Sequence, residues 1–485
     1  MAIEQHKDVE SGESNGLRCL QEPFIQPEEA ACEKVGSDKS VENESIGMVL
    51  LSTLVAVCGS FTFGTCVGYS APTQASIRAD LNLSLAEFSL FGSLVTIGAM
   101  LGAITSGRIT DFIGRKGAMR ISTGFCIAGW LAVFFSKGSY SLDLGRFCTG
   151  YGIGVISYVV PVYIAEIAPK NLRGGLATAN QLLIVTGSSV SFLIGSVINW
   201  RELALVGLVP CICLLIGLYF IPESPRWLAK VGREKEFQLA LRRLRGDDVD
   251  ISYEAAEILD YIETLQNLPK AKLLDLFQSK YVRTMVIGVG LMACQQSVGI
   301  NGIGFYTGET FIAAGLSSGK AGTIAYACIQ VPFTVLGAIL MDKSGRRPLI
   351  MVSAAGTFLG CFTAGIAFFL KDQSLLLEWV PILAVAGVLI YIAAFSIGMG
   401  PVPWVIMSEI FPIHVKGTAG SLVVLLNWLG AWVVSYTFNF LMSWSSPGTL
   451  FLYAGCSLLT IIFVETLVPE TKGKTLEEIQ ACISS

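Results

Sequence analysis

GRITDFIGRKG, residues 107 to 117, returns in altered form as MDKSGRRP, residues 341 to 348, placing Asp111 and Asp342 in matching positions 231 residues apart and setting Arg115 against Arg346. Two further pairs keep step. PVYIAEIAPKNLRGG (161–175) aligns with PVPWVIMSEIFPIHVKGTAG (401–420), which sets Glu166 against Glu409 and Arg173 against Lys416; PESPRWL (222–228) aligns with PETKG (469–473). Three paired motifs at a near-constant offset signal an internal duplication. Each motif is a short charged stretch between long apolar runs, so the duplicated unit is a set of membrane spans.

Composition agrees. Of 485 residues 53% are hydrophobic and only 14% charged, with a mean hydropathy of +0.63, far from the profile of an average soluble domain. Apolar runs of about 20 residues, enough to cross a bilayer as helix, lie near 47–70, 88–107, 118–136, 144–164, 176–198, 203–221, 284–312, 321–341, 349–370, 379–407, 418–441 and 449–468. A charged block, 222–283, divides them six and six. The expected organisation is an acidic disordered tail (1–46), a six-helix bundle (47–221), a helical linker (222–283), a second six-helix bundle (284–468) and a C-terminal tail (469–485). The fold class is an all-α membrane protein.

Lys and Arg are retained on the cytoplasmic side during insertion. Of the 33 basic residues, 27 fall in the tails, the central block and the loops on one side, five fall on the other, and Arg146 lies within the fourth run. Both termini are therefore expected in the cytoplasm. The tail has no apolar h-region behind a basic n-region, so no cleavable signal is expected and the first span serves for insertion. Thirteen cysteines, mostly within runs, lack metal or framework spacing and suit small packing residues. His6 and His414 are the only histidines. No zinc, hydrolase or phosphate-loop signature is present, so no enzyme, metal site, cofactor or nucleic-acid partner is expected.

The motifs resemble the major facilitator superfamily and, within it, the sugar porters, over essentially all of 47–475. GR…GRK, DLGRFCTGYGIG (143–154), PESPRWL, QQ-x4-N and PETKG occur in that family's order. The wording of VPVYIAEIAPKNLRG, IPESPRWLAK and VPETKGKTLEEIQA is similar to the plant early-responsive-to-dehydration-like monosaccharide transporters. The resemblance implies twelve helices in two six-helix bundles joined by cytoplasmic helices, and transport of a hexose such as glucose or fructose by alternating access. It also implies residence in the vacuolar membrane, with the plasma membrane as alternative. A sugar sensor that binds without turnover is the reading from another class, and the short tails carry no signalling module that favours it.

QQSVGINGIGFY (295–306) raises the question of site. It sets Gln295, Gln296 and Asn301 within an apolar run, where polar groups face the bundle interior and either tie helices together or line a solute path. On an ideal helix Gln295 and Asn301 stand about 240° apart. Gly299, Gly302 and Gly304 point to an interrupted helix that brings the two together, tolerable only beside a cavity, so lining a path is expected over tying helices. Amides both donate and accept, matching hydroxyl groups without the desolvation penalty of a charge, which favours a neutral polyol. Phe305, Tyr306, Trp404 and Trp428 offer flat apolar faces, with packing as the competing role. The resemblance adds Gln181 and Asn427 to the sugar-contacting positions. Ser396, Gln330 and Ala431 stand where facilitative glucose transporters of animals carry Glu, Asn and Asn, which leaves the preferred sugar open.

Coupling rests on FGTCVG (63–68), where Cys66 replaces the membrane Asp that many proton-coupled members of that family set opposite the arginine, here Arg146. A thiol in apolar surroundings stays neutral near pH 7, so facilitated diffusion is expected. Asp143, three residues before Arg146, can reach it on one helix face, and proton symport through Asp143 is the alternative. The resemblance assigns Asp111, Arg115, Glu166 and Arg173, with Asp342, Arg346, Glu409 and Lys416, to a cytoplasmic gate; lipid-facing anchorage is the competing role.

Within the linker, Ser224 and Pro225 form a helix start. Phe237, Leu241 and Leu244 then recur at helical spacing up to Gly246. GLRCLQEPFI (16–25) faintly resembles a dileucine sorting signal, and Asn82 of NLS is a glycan acceptor expected to stay unoccupied. The expected partners are a monosaccharide and the lipid bilayer, and nothing in the residues speaks to oligomeric state.

Overall fold

The computed structural model of the protein describes residues 46–169, 172–246, 249–267, 276–474 and 476–484. The tail 1–45 with His6, the sorting-like stretch 16–25, and the side chains of Asp342 and His414 lie outside the described residues. The first half consists of α1 (Gly47–Gly68), α2 (Ser70–Leu81), α3 (Leu85–Phe134), α4 (Ser139–Ile167), α5 (Arg173–Gly195) and α6 (Trp200–Phe220). Short helices follow: α7 (Pro225–Lys230), α8 (Glu234–Arg245) and α9 (Ser252–Asn267). The second half holds α10 (Ser279–Ser297), α11 (Ile300–Phe305), α12 (Thr307–Ala313), α13 (Lys320–Ser344), α14 (Arg346–Asp372), α15 (Val380–Ala394), a wide π-helical turn (Phe395–Met399), α16 (Val402–Ile410), α17 (Ile413–Trp444) and α18 (Ser446–Leu467), before α19 (Leu476–Ser484).

Among the described residues eleven segments are long and apolar enough to cross a membrane. One counts twice. The 50 residues of α3 would reach roughly 75 Å as straight helix, against a hydrocarbon layer of about 30 Å. At Gly114 the backbone leaves helical geometry (φ 83°, ψ 174°) and the chain turns back, giving twelve spans. Gly345 does the same between α13 and α14, with φ 92° and ψ 170°.

These two corners show why the sequence motifs recur. Their dihedrals lie in a region open essentially to glycine alone, and a methyl at Gly114 or Gly345 would stand 2.7 Å from Glu223 Oε2 or 2.9 Å from Glu470 Oε2. Each glutamate fills the space a side chain would take. Glu223 accepts from the amides of Arg115 (3.1 Å), Lys116 (3.1 Å) and Ser224 (2.9 Å). Glu470 accepts from those of Arg346 (3.1 Å), Arg347 (3.0 Å), Thr471 (3.0 Å) and Lys472 (2.9 Å). A carboxylate thus collects amides that a new helix start leaves without partners. Burial pushes the Glu223 carboxyl above the ordinary range against the pull of those amides. At Glu470 burial also pushes upward, but the four amides together hold the carboxyl below the ordinary range.

Next to each corner lies an ion pair. Arg115 grips Glu166 with both Nε (2.7 Å) and a terminal nitrogen (2.6 Å), and the Ser224 hydroxyl donates to the same carboxylate at 2.6 Å. Arg346 meets Glu409 through a single 3.1 Å bond. Asp111 pairs with Lys230 at 3.0 Å, and the Trp227 indole donates to the Asp111 carbonyl at 3.0 Å. The linker helices therefore dock on α1, α3 and α4 and enclose a small core of their own, built from Trp227, Leu228, Phe237, Leu241, Ile251 and Ile258. Ser224 caps α7 and Gly246 ends α8.

The halves meet away from these corners. Ser89 and Phe88 stand in the first turns of α3, with Arg115 at the far end of that span, about 40 Å away at 1.5 Å per residue. Asn439 donates to Ser89 Oγ at 2.9 Å, Phe88 packs edge-on to Tyr306, and Gln330 donates to Ser189 Oγ at 2.7 Å. On the motif face the pairs of Arg115 and Arg346 each stay within one half. The halves close on one face while their ion pairs on the other do not bridge them.

Gly114→Ala is expected to lower stability by about 1–3 kcal/mol, read as a drop in Tm in detergent, while Gly107→Ala, whose added methyl meets open space, should leave Tm within a degree or two. Glu470→Gln should lower Tm at pH 7. Because the folded carboxyl is held low, its contribution is present above the unfolded pKa and lost on acidification, so the gap from wild type should close as pH falls through the glutamate range.

Candidate functional site

A cavity of about 140 Å³ lies between the halves. From the first half α5 contributes a stripe, Gln181, Ile184, Ser188 and Phe192, beside Gly64 and Val67 of α1. From the second, α11 contributes Asn301 and Phe305, α13 contributes Tyr326, Gln330 and Thr334, and the wide turn contributes Phe395 and Ser396, followed by Gly400 and Pro401. The wall alternates amides and hydroxyls with aromatic and aliphatic surface. Such a lining can hydrogen-bond the hydroxyls of a neutral polyol while its rings cover C–H faces.

The three amides of 295–306 separate in space. The helix breaks at Gly299 (φ 90°), so Asn301 turns to the cavity while donating to Gln296 Oε1 at 2.5 Å. Gln296 in turn donates to Asn427 Oδ1 at 2.9 Å. Gln295 donates to the carbonyls of Met399 (2.7 Å) and Gly400 (2.8 Å). Gln295, Gln296 and Asn427 are buried and stand behind the cavity wall. Among the aromatics, Phe305 lines the cavity. Tyr306 is fully buried and stacks on Phe438 with ring centres 5.6 Å apart. Trp428 meets Phe63 across the halves at 6.0 Å, and Trp404 packs against the core of the second half.

Gln181, Asn301, Phe305 and Gln330 are thus brought to one cavity. Ser188, Phe192, Tyr326 and Thr334 share it without having been singled out in the sequence. Their signal was present in the helix period: Ser188 and Phe192 follow Gln181 by seven and eleven residues, and Tyr326 and Thr334 flank Gln330 by four, which puts them on one face.

Arg146 is 1% exposed. Its terminal nitrogens donate to the Cys66 carbonyl (2.6 Å) and to Ser70 Oγ (2.6 Å), and its plane lies over Phe91 (5.3 Å) and Tyr69 (5.9 Å). Among the described residues no carboxylate pairs with it. Asp143 does not make the contact its i−3 spacing allows: its buried Oδ1 has no hydrogen-bond partner, and Arg146 Nε likewise has none. The guanidinium is already engaged by α1 and its continuation, which turns it away from Asp143. Thr62 and Cys211 contact each other nearby, and Cys66 is fully buried.

On the motif face, Arg173 Nε and Glu409 Oε2 are buried without hydrogen-bond partners. Lys416 donates to the Ser408 carbonyl at 2.8 Å.

The family described as "Sugar (and other) transporter" matches residues 27–482. The chain belongs to that family. It is 71% identical over 484 residues to "Sugar transporter ERD6-like 16" of Arabidopsis thaliana, covering 100% of this chain and 99% of the relative. It is 62% identical over 437 residues to "Sugar transporter ERD6-like 7" of the same plant, covering 90% and 94%. Among solved structures, the inward-open conformation of the xylose transporter XylE from E. coli is similar at a TM-score of 0.75 and 29% identity, over 90% of this chain and 99% of that one. The proton:xylose symporter XylE bound to 6-bromo-6-deoxy-D-glucose is similar at 0.74 and 29%, over 90% and 99%. The protein is a twelve-helix sugar porter of the major facilitator superfamily, of the ERD6-like kind. It is a multi-pass membrane protein whose function is sugar transport, in a family of carriers rather than enzymes.

Asn301→Ala should raise the transporter's apparent affinity constant for sugar at least tenfold, about 1.4 kcal/mol. Asn427→Ala, which acts only through Gln296, should raise it about threefold, the worth of one neutral hydrogen bond. Concentration-dependent uptake of labelled sugar checks the order, and an equal effect of the two would remove the distinction between lining and support.

Proposed function

We propose that this transporter carries monosaccharides, hexoses such as glucose or fructose, by facilitated diffusion through alternating access at the cavity between its halves. The observation that carries the coupling assignment is Arg146. Its terminal nitrogens are taken by a backbone carbonyl and a hydroxyl, with no carboxylate in ion-pair range among the described residues, so no group beside it is placed to load and release a proton in each cycle. The amides Gln181, Asn301 and Gln330 among apolar and aromatic walls support a neutral, hydroxyl-rich substrate.

The moving parts are the bundles 47–221 and 284–468, with 222–283 as linker and the tails 1–46 and 469–485 outside them. Both termini face the cytoplasm, and the vacuolar membrane is the favoured residence, with the plasma membrane second. The motif residues act as the cytoplasmic gate. Contacts at Ser89–Asn439 and Phe88–Tyr306 with unbridged halves at the corners support a cytoplasm-open state. In the opposite state the unpartnered Arg173 Nε and Glu409 Oε2 gain partners across the halves. Such a network must break each cycle, so it favours its state by only a few kcal/mol.

A second reading, proton symport through Asp143, draws on its buried, unpartnered Oδ1. Uptake of labelled glucose and fructose into proteoliposomes, with and without an imposed pH gradient and a protonophore, separates the two. Equilibration indifferent to the gradient is expected, and Asp143→Asn should leave the pH dependence flat. Accumulation that the protonophore abolishes, or a steep pH dependence lost in Asp143→Asn, would overturn facilitated diffusion.

A further inference from the structure

Three cations converge on the end of α6. Arg120, in the part of α3 beyond the Gly114 corner, lies over the Tyr219 ring at 5.4 Å. Arg243 of α8 donates to the Phe220 carbonyl at 2.6 Å, and Lys116 donates to the Ile221 carbonyl at 2.6 Å. Cations at a helix C-terminus satisfy its last carbonyls, which accounts for Lys116 and Arg243 as caps. Arg120 caps nothing. Among the described residues no carboxylate pairs with Arg120 or Arg243. Both act on Lys116 as like charges, and the carboxylate that opposes them there, Glu223, is taken up by backbone amides.

The duplicated corner shows that the fold does not require this surplus. Arg347 stands in the place of Lys116 and makes the same kind of bond, to the Glu465 carbonyl at 2.6 Å. Met351, however, stands in the place of Arg120, and Glu465 brings a carboxylate to the last turn of α18. On the first-half side a second feature leads to the cations. Leu205, Val209, Ile212, Ile216 and Tyr219 recur along one face of α6 and are all exposed. That apolar stripe runs about 21 Å at 1.5 Å per residue, longer than one leaflet of about 15 Å, and it ends at Arg120.

We propose that Lys116, Arg120 and Arg243 form a binding site for the anionic headgroup of a phospholipid in the leaflet on the motif face, with its acyl chains lying along the α6 stripe. Guanidinium groups hold phosphate oxygens through paired N–H donors. Arg120 offers all of its donors, and Arg243 and Lys116 offer those not spent on carbonyls. Basic pockets beside membrane spans suit anionic headgroups. A free anion would meet the same cations but leave the apolar stripe unused, so the stripe selects a lipid as the occupant. Because Lys116 and Arg120 belong to α3 and Arg243 to the linker, the bound headgroup ties the linker to the first half. The site is independent of which sugar is carried.

The test is native mass spectrometry of the purified full chain in detergent, titrated with phosphatidylglycerol or phosphatidylcholine, with Tm recorded in parallel. Wild type should prefer phosphatidylglycerol at least about tenfold and gain Tm from it by mass action. Arg120→Met, which copies the second half and breaks no hydrogen bond, should lower phosphatidylglycerol affinity at least about tenfold and abolish most of the gain in Tm. Arg243→Gln should do the same. Lys235→Gln, which removes an exposed charge from the same linker helix, should change affinity less than about twofold, since isolated surface charge is screened. An equal loss in Lys235→Gln would reduce the attraction to diffuse surface charge and overturn the site, as would equal binding of the two lipids by wild type. Displacement of phosphatidylglycerol by millimolar inorganic phosphate at matched ionic strength would overturn the lipid as occupant in favour of a free anion. Should Arg243→Gln fail to fold for want of a donor to the Phe220 carbonyl, Arg120→Met decides alone.

Discussion

A backbone amide or carbonyl that loses its helical partner inside an apolar, membrane-sized body has no water to turn to, and much of this structure is arranged around that constraint. At Gly114 and Gly345 the chain must stop one helix and start another within a residue, which strands several amides at once. Glu223 and Glu470 collect them. At the broken span before α16 the groups are carbonyls and the Met399 amide, and the answer is neutral: Ser353 and Gln295. At α1 the guanidinium of Arg146 takes the Cys66 carbonyl. In each place the side chain that satisfies the backbone comes from another element, so local irregularity and tertiary packing fix one another.

The duplication makes these solutions comparable. The two corners share backbone geometry, a capping glutamate and an arginine–glutamate pair, yet they differ in tightness. The first-half pair is bidentate and shielded by Ser224 and the linker helices, while the second-half pair is single and leaves Glu409 Oε2 without a partner. A carrier that alternates between two states needs ion pairs whose partners exchange at low energetic expense. Among the described residues on that face, Arg173 Nε, Arg346 Nε, Arg347 Nε and Glu409 Oε2 are buried without a hydrogen-bond partner.

The cavity owes its shape to irregular helices. Gly299 lets α11 swing Asn301 into the opening, and the wide turn at 395–399 brings Ser396 and Pro401 to the opposite wall. Even with the break at Gly299, Gln295 stays on the far side of the wall, on the carbonyls of Met399 and Gly400, while Asn301 lines the cavity. The amides divide accordingly: Asn301 reaches the cavity, Gln295 bonds backbone carbonyls of the broken span, and Gln296 bonds Asn427.

Twelve spans, the duplication, the charged corners and the polar run 295–306 were all legible in the residues, because apolar length, charge and motif spacing are properties of the chain itself. The helix period would also have yielded Ser188 and Phe192 from Gln181, and Tyr326 and Thr334 from Gln330. Other features were not legible. That Gln295 faces the Met399 carbonyl, that Ser353 enters the ladder of another helix, and that Arg146 turns to α1 and not to Asp143 all depend on which helix lies beside which. Sequence alone thus determined that this chain crosses a membrane twelve times in two related halves and carries amides where lipid-facing residues would be apolar. Only the tertiary structure decided which of those amides meets the cavity and which meets a backbone carbonyl, because the partner of a stranded polar group is set by packing between segments a hundred residues apart, to which local pattern is blind.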